Sequence, residues 1–194
     1  TTAPRVSIVI PLFNDEEYVS AALQSCLAQT LSSIEIICVD DCSTDGTARI
    51  VAEYASRDAR VKLVQQPENR SAFQARRAGI LAASANYVMF LDGDDELAPE
   101  AAQTAVEKAE LAEADVVGFG VEIVATGSGK PSRMEAALQP KHAELLSRDI
   151  VANIFPPDAA PNGHLWRYLF ATSLLVSAYE KFSDDARYYR ANDF

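Results

Sequence analysis

Three carboxylates in four residues, Asp92-Gly93-Asp94-Asp95, follow directly on the apolar run Val88-Met89-Phe90-Leu91. Like charges this close repel one another unless something cationic joins them. Hard carboxylate oxygens at the rim of a buried strand suit Mg²⁺ or Mn²⁺, which bring their own waters and a ligand's phosphates. Gly93 lets the backbone approach a ligand closely. The plainer alternative is an acidic turn in which Asp95 or Glu96 faces the positive end of the next helix. For Asp95 that alternative is the better reading.

A second acidic rim is Asp40-Asp41, followed by Cys42-Ser43-Thr44-Asp45-Gly46. A carboxylate there can accept from a base N–H or a ribose hydroxyl, while Asp45 reads as a cap or turn residue. Arg76-Arg77 falls in a helix after the third strand. Arg76 can turn a guanidinium toward the strand ends, and Arg77 reads as a solvated helix charge. His142 and His164 have no metal-like spacing and read as structural or surface residues. Trp166 and its neighbours read as core. Two phosphate motifs are absent. Gly118 and Gly120 do not open a G-x-G-x-x-G, and Gly129-Lys130-Pro131 has no P-loop glycine five residues earlier. A bound nucleotide would therefore have its phosphates handled by carboxylates and a metal.

These residues need elements to position them, and the apolar periodicity supplies them. Val6–Ile10, Ile34–Val39, Val61–Val64, Tyr87–Leu91 and Val116–Val124 read as strands. Helical stripes run through Val19–Leu27, Ile50–Ala55, a segment from a Ser71 cap to about Ser84, and a segment opened by Pro99. Strands apolar throughout, alternating with helices, predict a mostly parallel sheet covered on both faces. Such sheets bind ligands at the carboxyl ends of their strands. Pro11 to Asn14, Asp40-Asp41, Pro67 to Asn69 and Asp92 to Asp95 all fall at those ends. Beyond Val124 the pattern weakens. Residues 126–140 and 156–163 read as polar, Gly- and Pro-rich loops that order with a ligand, and 142–154 as helix. The end at Asn192-Asp193-Phe194 reads as a shortened chain.

Composition narrows the class. The chain has 194 residues, 48% hydrophobic, enough for a sizeable core. Lys+Arg is 17 against Asp+Glu 28, a formal net charge of −11, which argues against nucleic acid as chief partner. Three cysteines, Cys26, Cys38 and Cys42, make neither a disulfide framework nor a zinc site. No segment has a transmembrane helix's length of apolar residues or the form of a signal peptide, so a reduced, cytoplasmic setting is expected.

Val6-Ser7-Ile8-Val9-Ile10-Pro11-Leu12-Phe13-Asn14, Val39 to Gly46 and Phe90 to Asp95 resemble, in order and spacing, the opening of family 2 glycosyltransferases with the GT-A fold. The resemblance covers residues 5 to about 120. A fainter match joins Leu165–Phe170 and Asn192-Asp193-Phe194 to the family's later Trp segment and Glu-Asp pair. It implies a Rossmann-like, mostly parallel sheet flanked by helices on both faces, in one catalytic domain. Residues 1–95 would be the nucleotide half and 96–194 the acceptor half. It further implies a bacterial, inverting enzyme of cell-surface polysaccharide or glycoconjugate synthesis. The donor would be a nucleotide-sugar, specifically a UDP-sugar, and the acceptor a saccharide or lipid-linked hydroxyl. The setting would be cytoplasmic, with peripheral placement at the inner membrane face admitted.

By the same resemblance Pro11, Leu12 and Phe13 lie along uracil, with Phe13 stacking. Asp41 accepts from the base, and Asn69 and Arg76 hold the nucleoside. Asn14, Glu16 and Gly93 join the nucleotide-sugar set. Asp92 contacts ribose or metal, Asp94 is the main ligand of a Mn²⁺ or Mg²⁺ on the diphosphate, and Asp193 is the general base. The chain departs from the family at Cys42 and Ser71, where glycine is usual, at Arg77 for asparagine, and at Asn192 for glutamate. A nucleotidyltransferase of similar layout is the alternative enzyme, disfavoured by Asn14-Asp15-Glu16 where a glycine-rich loop is expected. Glu96 likewise disfavours an aspartyl phosphatase. A sugar-nucleotide-binding module without turnover is the non-enzyme alternative.

Overall fold

The computed structural model describes residues 3–122, 139 and 165–182. The elements run β1 (Val6–Leu12), α1 (Val19–Leu27), β2 (Ile34–Asp40), α2 (Thr47–Arg57), β3 (Val61–Gln65), α3 (Ala72–Ala82), β4 (Tyr87–Phe90), α4 (Ala101–Ala112) and β5 (Val116–Gly118). A 3₁₀ turn (Leu165–Arg167) then leads into β6 (Tyr168–Ala171) and α5 (Thr172–Tyr179). One six-stranded sheet has the order β3-β2-β1-β4-β6-β5. β1 to β4 are parallel, whereas β6 runs antiparallel to both β4 and β5.

Every residue of β1 and β2 is buried, which is why these strands lack polar alternation. Two cores lie on opposite faces. Ile8, Ile10, Ile36 and Cys38 pack with Leu23 and Cys26 of α1, Val51 of α2 and Val106 of α4. Val9, Ile37, Val39 and Phe90 pack with Ala75 and Ile80 of α3 and Tyr179 of α5. Gly79 makes the second interface possible, because a Cβ there would overlap Val9 Cγ1. Burial pushes the Cys26 thiol up to about 12 and raises the Cys38 thiol as well, so neither offers a thiolate near neutral pH.

The expected fifth strand is shorter than its apolar run, ending at Gly118. The apolar 165–179 stretch, left without an element by periodicity, is a strand followed by a helix. Ser71 stands at the start of α3 but makes no side-chain cap; its backbone has φ 84° and ψ 155°. Among the described residues no helix is long and apolar enough to cross a membrane.

Candidate functional site

The chain crosses from β1 to β2 and β3 on one side, then returns to place β4 on the other side of β1. Sheets of this kind open a crevice beyond the carboxyl ends where that order reverses. β4 pairs with β1 over Val6–Val9, and the Leu91 N–H still donates to the Val9 carbonyl at 3.1 Å. The β1 exit carries Phe13, Asn14 and Asp15, and the β4 exit carries Asp92 to Asp95.

Gly93 brings the two exits into contact. A Cβ on it would stand 2.7 Å from Leu12 Cδ2 and 2.8 Å from Asp15 Oδ2. Asp15 Oδ2 also accepts the Phe13 N–H at 2.9 Å, and the Asp15 N–H donates to Thr47 Oγ1 at 2.8 Å. Phe13 is left 47% exposed above a buried Pro11 and Leu12. Asn14, at φ 59°, accepts the Thr44 N–H at 2.8 Å, and Glu16 accepts the Gly46 N–H at 2.9 Å. Asn14 and Glu16 therefore tie the β1 exit to the 43–46 loop. Asp45 Oδ1 accepts from the Thr47 N–H and hydroxyl, the turn role expected of it.

Asp41 is 2% exposed, and its carboxylate accepts the N–H groups of Arg70 at 2.9 Å and Ser71 at 2.8 Å. A carboxylate has about four acceptor positions, so it can hold this loop and still accept from a ligand. Asp40 is buried too and accepts the Ser43 N–H at 3.3 Å. Asn69 is exposed on the loop that Asp41 anchors. Cys42 and Ser71, the two positions where the resembling family has glycine, both have positive φ, 66° and 84°.

Arg76 is buried on α3 and donates to Asp92 Oδ1 at 2.7 Å. Asp94 projects exposed. Asp95 is half-buried; burial first, then the charges of Asp94 and Asp92, raise its pKa to about 6. Burial also raises Asp15, partly opposed by its bond from Phe13 and reinforced by the charges of Asp94, Asp45 and Asp92. Asp15 was not singled out in the sequence; its signal was an acid directly after the motif asparagine. Arg77 is half-buried rather than a solvated charge.

Among the described residues no three histidine, cysteine or acidic side chains converge as a metal cage. The donor set nevertheless fits a hard divalent cation held through one or two carboxylates plus substrate phosphates. Four carboxylates crowd this rim, two with raised pKa, and Arg76 is the cation seen paired with one of them. Asn192, Asp193, His142, His164 and the expected loops at 126–140 and 156–163, apart from Gln139, lie outside the described residues.

The glycosyl transferase family 2 model matches residues 7–166. EpsJ of Bacillus subtilis, described as an uncharacterized glycosyltransferase, is 33% identical over 98% of this chain and 55% of its own length. The succinoglycan biosynthesis protein ExoO of Rhizobium meliloti is 35% identical over 68% of this chain and 37% of its own. The chain thus spans about half or less of these relatives. The crystal structure of S. aureus TarS 1–349 superposes over 97% of this chain and 53% of its own, at TM-score 0.71 and 26% identity. Its complex with UDP-GlcNAc gives TM-score 0.69 at 25% identity over 97% of this chain and 52% of its own. The mannosyltransferase PcManGT of Pyrobaculum calidifontis, in complex with GDP-Man and Mn²⁺, gives TM-score 0.53 at 26% identity over 63% and 37%. With the family model covering most of its length, on a sheet whose acidic rims stand where the motifs placed them, the chain belongs to glycosyl transferase family 2.

Proposed function

We propose that this chain binds a nucleoside diphosphate sugar, specifically a UDP-sugar, and transfers the sugar with inversion to an acceptor hydroxyl in polysaccharide synthesis. The observation that carries the reading is the set of residues standing at the strand exits. An exposed aromatic (Phe13) and a buried acceptor (Asp41) lie on the β1 and β2 exits, and an acidic rim (Asp92, Asp94) on the β4 exit. That order suits base, then ribose, then diphosphate. The UDP-GlcNAc complex of TarS and the role named for ExoO support donor class and setting. A cytoplasmic site of action is part of this reading.

Phe13 offers its ring to the base, and Asp41 accepts from a base N–H. Asn69 lies beside them, and Pro11 and Leu12 form the floor. Asp92, oriented by Arg76, meets ribose or shares the cation with Asp94. When bound there, Mn²⁺ or Mg²⁺ supplies Lewis-acid stabilisation of the leaving diphosphate, a reading supported by the Mn²⁺ complex of PcManGT. The acceptor oxygen forms the new bond to the anomeric carbon. The bond from that carbon to the phosphate oxygen breaks, and its electron pair leaves with the diphosphate. The acceptor proton passes to a carboxylate across the sugar from the metal, a role we assign to Asp193.

Thermal denaturation with UDP, Mn²⁺ and both together tests the reading. Ligands that bind the native state raise the melting temperature by mass action. UDP plus Mn²⁺ should stabilise more than either alone, and Asp94→Asn should remove most of that gain. Equal stabilisation by UDP in EDTA would remove the metal from the site. Release of UDP from UDP-sugar separates an enzyme from a binding module. In a chain extended to the length of its relatives, Asp193→Asn should abolish transfer and leave UDP binding within a few-fold.

A further inference from the structure

Arg167 ends the 3₁₀ turn that leads into β6, and it is 6% exposed. Among the described residues its Nε and Nη1 have no hydrogen-bond partner, and no carboxylate stands within ion-pairing distance of it. Other shielded arginines are matched: Arg76 meets Asp92 and Arg60 meets Asp58, at 2.7 and 2.8 Å. The Arg167 guanidinium does lie 5.4 Å from the Tyr168 ring centroid. That contact offsets part of the desolvation but brings no anion. Burying an unpaired guanidinium destabilises the unliganded fold, so something else must account for it.

Its place in the sheet indicates what. β4 and β6 pair antiparallel with Met89 opposite Leu169. Continuing that register by two residues sets Arg167 opposite Leu91, immediately before Asp92. The Arg167 carbonyl accepts the Phe119 N–H at 3.0 Å, which anchors the backbone there from the β5 side. The Arg167 backbone thus stands one strand beyond the acidic β4 exit, on the side away from Phe13 and Asp41.

We propose that Arg167 is an anion-binding residue of the donor site, taking the terminal phosphate of the nucleoside diphosphate. This rests on the donor reading above. A dianionic phosphate among Asp15, Asp92, Asp94 and Asp95 gains from positive charge beyond a single divalent cation, and Arg76 is already paired with Asp92. A guanidinium is the side chain suited to phosphate, through paired N–H donors in a fixed plane. Holding it ready and unpaired in the free protein means that no competing ion pair must break when the ligand enters.

The test compares wild type, Arg167→Met and Arg167→Lys with UDP, UMP and inorganic pyrophosphate, by calorimetry and thermal denaturation. Arg167→Met should weaken UDP by about tenfold or more while UMP stays within about twofold, because only UDP carries the terminal phosphate. Stabilisation by pyrophosphate should vanish in Arg167→Met and survive in part in Arg167→Lys. Without ligand, Arg167→Met should melt at the same temperature as wild type or higher, since the unpaired charge is gone. Unchanged UDP affinity, equal loss for UDP and UMP, or a lower melting temperature without ligand would each overturn the proposal. If wild type ignores UDP but pyrophosphate stabilises it and not Arg167→Met, the anion site stands and the nucleotide reading falls. No response of wild type to either probe overturns both.

Discussion

The Arg76 guanidinium, buried on α3, donates to Asp92 at 2.7 Å and so binds the helix beyond the Asp41-anchored loop to the β4 exit. Arg76 is 9% exposed at its side chain and Asp92 is 32% exposed. Removing the guanidinium leaves a carboxylate that water can still reach. Arg76→Ala should therefore cost about 1–3 kcal/mol, below the cost of stranding a fully buried partner. Urea denaturation measures it, and a loss under about 0.5 kcal/mol, the size of an exposed pair, would show that the contact is not structural. UDP affinity should fall in the same variant, because Asp92 loses its orientation.

Ser71 and Cys42 hold backbone conformations that suit glycine. Ser71, at φ 84° and ψ 155°, lies in a region that side chains avoid, and its buried hydroxyl has no hydrogen-bond partner. The two N–H bonds to Asp41 hold the loop there. Such strain costs on the order of 1–3 kcal/mol, and glycine returns about 0.5–1 kcal/mol of that as unfolded-chain entropy. Ser71→Gly should stabilise the protein by about 1 kcal/mol net, and Cys42→Gly by somewhat less. At this chain length the melting temperature should rise by roughly 2–4 °C per kcal/mol. A drop for Ser71→Gly would mean that the serine side chain carries a contact worth more than the strain.

The strands, the helices between them and the two acidic rims were legible because each signal is local. β1 and β2 are apolar runs broken only by Ser7 and Glu35, and the acids stand one residue past such runs. Three kinds of feature were not legible. β6 is four residues long, and its antiparallel pairing depends on β4 and β5, both distant in sequence. The work of Asn14 and Glu16 depends on a loop some 30 residues away. Arg167 looks like any arginine among aromatics until burial shows it unmatched. Asp15 fell between: its position in the motif was visible, but its contact with Gly93 required β1 and β4 to be neighbours.

Gly79 sits where α3 crosses β1, its Cα facing Val9 and Val39, both fully buried. Helix propensity alone favours alanine over glycine by about 0.5–1 kcal/mol. Overpacking a tight interface costs about 1–3 kcal/mol. The clash is with a fully buried β-branched side chain whose χ1 is restricted, so packing should win. Gly79→Ala should destabilise by about 1–2 kcal/mol. The double variant Gly79→Ala with Val9→Ala should recover part of the loss, and no recovery would place the strain elsewhere.

At the end of the sheet opposite the site, one buried carboxylate gathers several donors and makes stability depend on pH. Glu35, 3% exposed on β2, accepts from the Ser7 hydroxyl, from Lys62 Nζ at 2.5 Å, and from the N–H and hydroxyl of Ser84 at 2.7 and 2.9 Å. It thereby joins β1, β2, β3 and the turn before β4. Burial alone would raise its pKa. The donors, Lys62 foremost, outweigh burial and hold the carboxyl below its usual range. A group depressed in the folded state stabilises above its unfolded pKa, and that contribution is lost as pH falls through the folded value. At neutral pH Glu35→Gln should lower stability by about 1–3 kcal/mol, because charge-assisted bonds are replaced by weaker ones and one donor meets an amide N–H₂. Denaturation curves from pH 7 down to about pH 3 should show the gap between wild type and Glu35→Gln narrowing once pH drops below the ordinary glutamate range near 4.3. A constant gap across that interval would mean that the Glu35 charge is not what stabilises this corner of the sheet.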